Sequence, residues 1–132
     1  MTPISTPIDP AVNQLSHRII GIAIEVHQNL GPGLLESAYK ACLAHRLSQQ
    51  GIYFEFEKAI PLVFENVRLE CGYRIDLVIE NCLVLEIKSV EALNPVHLAQ
   101  MITYLKLGNY PLGLLINFNV VRLKDGIKRV II

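Results

Sequence analysis

Three charged residues interrupt the segment YRIDLVIENCLVLEIKS, residues 73–89: Asp76, Glu86 and Lys88 stand among isoleucines, valines and leucines. Charges enter such strands only where something pairs or coordinates them. Side chains alternate along a strand, which groups Asp76 with Arg74 and Val78, and Glu86 with Val84 and Lys88. The opposite faces, Ile75, Leu77, Ile79 and Leu83, Leu85, Ile87, are apolar and are expected to face the core. Both can meet one core only if the connecting loop is odd in length, and a three-residue loop at Glu80–Cys82 sets Asp76 opposite Glu86. Facing carboxylates at about 4 Å repel by roughly 4 kcal/mol at an effective dielectric near 20, so a cation must offset them. A Glu–Lys–Asp salt-bridge network using Lys88 would do this, and so would Mg²⁺ held by carboxylate and backbone carbonyl oxygens. The strand pattern alone does not choose between the two.

Two helical segments carry further polar groups where apolar ones are expected. Glu36 falls at the same angular position as Leu43 and Leu47, beside Tyr39, although a carboxylate in a first helical turn is favourable in its own right. His97, Gln100 and Tyr104 share a narrow strip beside a predicted core stripe of Leu98, Met101, Ile102 and Leu105. Polar groups enclosed by apolar ones often line a site. Tyr104 is equally compatible with a half-buried core position and His97 with a cap at the helix rim.

These residues need elements to position them. Asp9-Pro10 reads as an N-cap and first helical residue, and apolar spacing carries that helix to Leu30, where Gly31 stops it. A second helix is expected from Leu34 to Gln50, ended by Gly51. Segments 52–58, 60–64, 67–79 and 82–89 have strand composition, with turns at Glu65-Asn66 and Glu80-Asn81. Asn94-Pro95 opens a third helix reaching Leu107 before Gly108. Leu112–Phe118 is a short apolar strand, and Asp125-Gly126 marks a hairpin turn into 127–132. The glycines of GPG, 31–33, fit no phosphate-loop spacing and serve as turn punctuation. The order α, α, a run of β, α, β, β predicts one α/β domain over 1–132, a mixed sheet flanked by helices, with 1–10 as an extended lead-in.

Composition limits the function classes. Of 132 residues, 52% are apolar and 18% charged, which describes a folded chain. Twelve basic and twelve acidic residues cancel, so no long-range field draws nucleic acid or an anionic membrane. The C-terminal stretch holds Arg122, Lys124, Lys128 and Arg129 against Asp125, a pattern that suits a solvated edge strand better than a phosphate contact. Three cysteines without C-x-x-C spacing suggest buried thiols in a reducing compartment. The opening MTPISTPIDP lacks the order of a signal peptide, and no stretch approaches the roughly 18 apolar residues of a membrane span. The expectation is a cytoplasmic protein with no membrane partner.

The spacing Asp76-x₉-Glu86-x-Lys88, followed by a helix carrying Gln100-x₃-Tyr104, resembles the PD-(D/E)XK nuclease superfamily. GLLESAY, with Gly33-x-x-Glu36-x-x-Tyr39, is similar to the signature of its small bacterial GxxExxY family. The likeness extends over AIEVHQNLGPGLLESAY, CGYRIDLVIE and GLLINFN. One departure is that the superfamily's leading Pro-Asp is here Ile75-Asp76. The resemblance implies a restriction-endonuclease-like αβββαβ core with an extra N-terminal helix and a C-terminal β hairpin. It implies that Asp76, Glu86 and the backbone carbonyl of Ile87 hold Mg²⁺ or Mn²⁺, with Glu36 completing the metal shell or placing a water. Lys88 would then orient the attacking water, while Gln100, Tyr104 and His97 support the site or touch substrate. The implied activity is hydrolysis of DNA phosphodiesters; the alternative is an inactive partner- or nucleic-acid-binding module of the same fold. A neutral chain can still hold DNA as a homo-oligomer that pools its cationic tails.

Overall fold

The computed structural model describes residues 8–132. Helix α1 spans Pro10–Leu30; the Asp9 side chain accepts from the Ala11 N–H at 2.8 Å, and Gly31, at φ 69°, ends the helix. Helix α2 spans Glu36–Gln49. Strands β1 (Phe54–Ala59), β2 (Leu62–Phe64), β3 (Val67–Leu69), β4 (Arg74–Ile79) and β5 (Leu83–Lys88) precede α3 (Pro95–Gly108), and β6 (Leu112–Asn117) and β7 (Ile127–Ile131) follow it. Most of the expected lead-in lies outside the described residues, and Pro10 itself belongs to α1.

Five strands form one sheet in the order β1-β4-β5-β6-β7. Only β5 and β6 run parallel, which requires a crossover, and α3 supplies it. The expected αβββαβ core is thus α2-β1-β4-β5-α3-β6. Helices α1 and α2 bury one face of the sheet, bringing Ile19, Leu43 and Leu47 against Leu77, Leu85 and Leu114. Helix α3 covers the other through Met101, Tyr104 and Leu105 against Val78, Val84 and Leu115. Enclosed on both sides, β6 is buried along its whole length, which explains the apolar run Leu112–Ile116 before Asn117.

Several boundaries differ from the sequence expectations. The segment 67–79 is two strands, because the chain turns through Gly72 at φ 80°. Its first part pairs with β2 in a separate ribbon, closed by Glu65 and Asn66 at φ 51° and 64°, the values of a type I′ turn. Helix α3 continues through Gly108 to a left-handed Asn109, and glycine stands at 108 because a Cβ there would collide with the Tyr110 ring. In α3 the core stripe includes Tyr104 in place of Leu98 and Ile102, which are only partly buried. The final antiparallel pair, β6–β7, is joined through a 3₁₀ turn at Leu123–Gly126 rather than a tight Asp-Gly hairpin. Arg129 on β7 donates to Ser16 Oγ and Asn13 Oδ1 of α1, so that cation ties the last strand to the first helix.

Candidate active site

The β4–β5 hairpin has the odd register. Leu77 pairs with Leu85, Val78 with Val84 and Ile79 with Leu83, leaving Glu80–Cys82 as the loop. Glu80 and Asn81 take φ 51° and 56°, and Cys82 N–H donates to the Ile79 carbonyl. The ladder stops at Leu77–Leu85. Beyond it the two carboxylates cross-link the strand ends: Asp76 N–H donates to Glu86 Oε1 at 3.0 Å, and Ile87 N–H donates to Asp76 Oδ2 at 2.8 Å.

A distortion in the neighbouring strand opens this end of the sheet. Strand β1 pairs Phe56 with Leu77 and Lys58 with Ile75, but no pair forms between Glu57 and Asp76, and Glu57 sits at φ 50°. Facing reverses there. Leu77 packs in the cluster under α1 and α2, whereas Ile75 packs in the cluster under α3, so the expectation that Ile75 and Leu77 share one core is corrected. The reversal lets Asp76 meet both β5 and helix α2.

Electrostatics follow from burial. Glu86 is 5% exposed, and its carboxyl is pushed up to about 8, first by burial and then by the charge of Asp76. Lys88 lies near enough to oppose that shift, yet it forms no ion pair among the described residues. The cation in contact with Asp76 is Lys40 of α2, whose Nζ lies 3.2 Å from Asp76 Oδ1 and 3.0 Å from Glu57 Oε1. Burial works against the Lys40 ammonium, but its bond to Glu57 and the charge of Asp76 outweigh it and hold its pKa above the usual value. Tyr104, on the α3 side, is pushed up to about 12 by burial and by the charges of Glu86 and Asp76, which keeps its hydroxyl a neutral donor.

The remaining candidates take distinct places. Glu36, the first residue of α2, accepts from Ser89 N–H at 3.3 Å, one residue past Lys88. Gln100 and Tyr104 line one small cavity with Tyr73 and Leu62. His97 is committed to a capping box: its Nδ1 accepts from Asn94 N–H, while Asn94 Oδ1 accepts from the His97 and Val96 N–H groups. Sequence reasoning missed Lys40, Glu57, Ser89 and Asn117. Asn117 is 2% exposed and clamps the chain after β5 by accepting from Val90 N–H and donating to the Val90 carbonyl. Lys40, Glu57 and Ser89 break no hydrophobic pattern, whereas Asn117 interrupts the apolar run Leu112–Phe118, and that interruption is the signal that marks it.

Tyr39 explains why a tyrosine follows Glu36 at this spacing. Fully buried and stacked on Phe118, it donates to the Gly31 carbonyl at 2.6 Å and accepts from Leu34 N–H at 3.1 Å. With the Ser89 hydroxyl bonded to the Leu34 carbonyl, this fixes the loop that launches α2, which is why the helix begins at Glu36 and not at Leu34. Tyr39→Phe keeps the ring and strands two backbone groups, so it is expected to cost about 1–3 kcal/mol of stability. Urea unfolding reads this directly, and an unchanged midpoint would show that the hydroxyl does not hold the loop.

The donor set suits a small hard cation. Asp76, Glu86 and the Ile87 carbonyl supply oxygen only. A strand residue points its N–H and C=O the same way, so the Ile87 carbonyl faces Asp76, while the Lys88 carbonyl accepts from Phe118 N–H on the other side. Among the described residues Glu86 Oε2 has no hydrogen-bond partner, and it is not sealed from solvent. Among the described residues no three His, Cys, Asp or Glu side chains converge as a metal cage, but Mg²⁺ commonly takes one or two carboxylates and completes its shell with water and substrate oxygens.

No helix among the described residues is long and apolar enough to cross a membrane. No curated protein and no solved structure gives a significant match to the chain. A family model described as the PD-(D/E)XK nuclease superfamily matches residues 13–130. That span runs from α1 to the last strand and contains the whole acidic hairpin, its lysines and α3. The chain therefore belongs to the PD-(D/E)XK nuclease superfamily, and its membership supports a nuclease-type function.

Proposed function

We propose that this protein is a GxxExxY-type nuclease that hydrolyses phosphodiester bonds of DNA with Mg²⁺ or Mn²⁺. The observation that carries the reading is the Asp76–Glu86 pair at the opened end of the β4–β5 hairpin, with Glu86 buried and its pKa raised. Asp76, Glu86 and the Ile87 carbonyl would hold the cation. When bound, a divalent cation there lowers the pKa of a water and neutralises charge on the phosphodiester. Lys88, on the face of Glu86 and without an ion pair among the described residues, would orient a water and meet charge developing on phosphate. Glu36, anchored to Ser89, fixes the chain beside Lys88 and can position a water. Tyr104 remains protonated and offers a donor at the rim, braced with Gln100 in one cavity. The neutral net charge suggests that DNA is held by a homo-oligomer which pools cationic edges. The expected result is cleavage of DNA in Mg²⁺ or Mn²⁺ that stops on adding EDTA; cleavage that persists in EDTA would contradict the reading.

One observation favours the second reading, an inactive module of the same fold: Lys40 already neutralises Asp76. Absence of carboxylate-dependent Mn²⁺ uptake together with absence of salt-sensitive DNA retention would support it.

A further inference from the structure

Lys40 reaches the acidic pair from the helical layer, and the fold gives its ammonium two carboxylates instead of one. Nζ lies 3.2 Å from Asp76 Oδ1 and 3.0 Å from Glu57 Oε1, with the Phe56 ring centroid 5.3 Å away. The Lys40 side chain is 14% exposed and that of Glu57 is 49% exposed. Regular alternation would point Glu57 away from α2, because Phe56, its neighbour, already faces Lys40. The left-handed turn at Glu57, φ 50°, brings both side chains to the same partner. Such a backbone is unfavourable for a residue with a Cβ, so a plain edge strand would not adopt it without a return. The base of Lys40 is equally fixed, since it follows Tyr39, which is locked to the loop before α2.

An ammonium and a dication cannot share one Asp76 carboxylate at contact distance without strong repulsion. A cation entering the gap must therefore displace Lys40 from Asp76, and a lone displaced ammonium in that half-buried place would lose its counter-charge. Glu57 removes the difficulty because the second ion pair already exists.

We propose that Lys40 is a built-in counter-cation for the Asp76–Glu86 pair, which yields Asp76 to an arriving divalent cation and remains on Glu57. This rests on the metal-binding reading of the pair. It makes Lys40 a positioning residue that sets the metal threshold, with Glu57 as its resting place. It also accounts for a paired Asp76 in a site that takes metal: the ion pair is the metal-free state of the site.

The test is calorimetric titration of the full chain with Mn²⁺, with thermal unfolding in the presence and absence of the ion. Lys40→Met is expected to bind Mn²⁺ on the order of tenfold more tightly than wild type, and its metal-free form to melt lower, with Mn²⁺ restoring the loss. Lys40→Arg keeps the charge and is expected to bind as wild type does. Glu57→Gln leaves Lys40 without a second anchor and is expected to bind several-fold more weakly, on the order of the coupling between neighbouring charges. That weakening is expected to vanish when Lys40→Met is combined with it, whereas a simple field effect of Glu57 would add in full. If Lys40→Met does not fold, Lys40→Gln and Glu57→Gln carry the comparison. Equal Mn²⁺ affinity in wild type and Lys40→Met, or full additivity in the double variant, would overturn the role of Lys40 and leave the metal site standing. Absence of Glu86-dependent Mn²⁺ uptake in every variant would remove the metal site and the role of Lys40 together.

Discussion

Glu86→Gln is expected to lower metal-dependent DNA cleavage by about 10³-fold, read as kcat/KM on a defined oligonucleotide. The substitution is close to isosteric. A glutamine carbonyl still accepts from Asp76 N–H, so the cross-link between the strand ends can persist. What disappears is the negative charge, and with it half of the carboxylate pair. Loss of partners that merely orient metal ligands typically costs 10–100-fold, so loss of Glu86, in its proposed role as a ligand, is expected to cost more. Cleavage within about threefold of wild type, in a variant with an unchanged circular dichroism spectrum, would place the activity elsewhere; on the scale of catalytic deletions that is no effect.

The same residue is expected to give the metal-free protein a pH-dependent stability. Glu86 is raised from 4.5 to about 8, by burial and by Asp76, so between those values the folded state holds a proton that the unfolded chain has released. The Glu86 contribution is fully present below the unfolded value and is lost as pH rises through the folded one. At about 1.4 kcal/mol per pKa unit, the loss across this window is a few kcal/mol. Urea unfolding at pH 5 and pH 8.5 in EDTA is expected to show it, and Glu86→Gln is expected to flatten the dependence and exceed wild type at the higher pH. Saturating Mn²⁺ is expected to restore wild type at pH 8.5, because a cation favours the ionised carboxylate. Equal pH slopes for wild type and Glu86→Gln would show that the buried carboxyl is not under strain.

The elements were legible in the sequence where a local rule dominates. Asp9-Pro10 and Asn94-Pro95 start helices because the caps are short-range chemistry, and both occur as read. The odd register of the β4–β5 hairpin was legible because period-two alternation admits one loop parity for Leu77, Ile79, Leu83 and Leu85 to share a core; Asp76 and Glu86 lie past the last pair and meet through side-chain bonds to backbone N–H groups. What alternation could not show is the reversal at Glu57 and Asp76, a long-range consequence of β1 meeting β4 beside α2. For the same reason Lys40 went unnoticed, since one lysine on a helix is ordinary until Asp76 and Glu57 are seen beside it. Of the two ways to offset the carboxylates that the strand pattern leaves open, the salt-bridge network through Lys88 does not form among the described residues; the ammonium on Asp76 is that of Lys40. Strand β3 reads as one segment with β4, 67–79, because strand-type composition continues across Gly72, and composition does not record a turn.

Anomalous diffraction from a crystal soaked in Mn²⁺ tests the paired carboxylates most directly. A single peak bonded at about 2.1 Å to oxygens of Asp76 and Glu86 and to the Ile87 carbonyl, with Lys40 withdrawn to Glu57, is the predicted result. A crystal that takes up Mn²⁺ only elsewhere, with Lys40 still seated on Asp76, would contradict it.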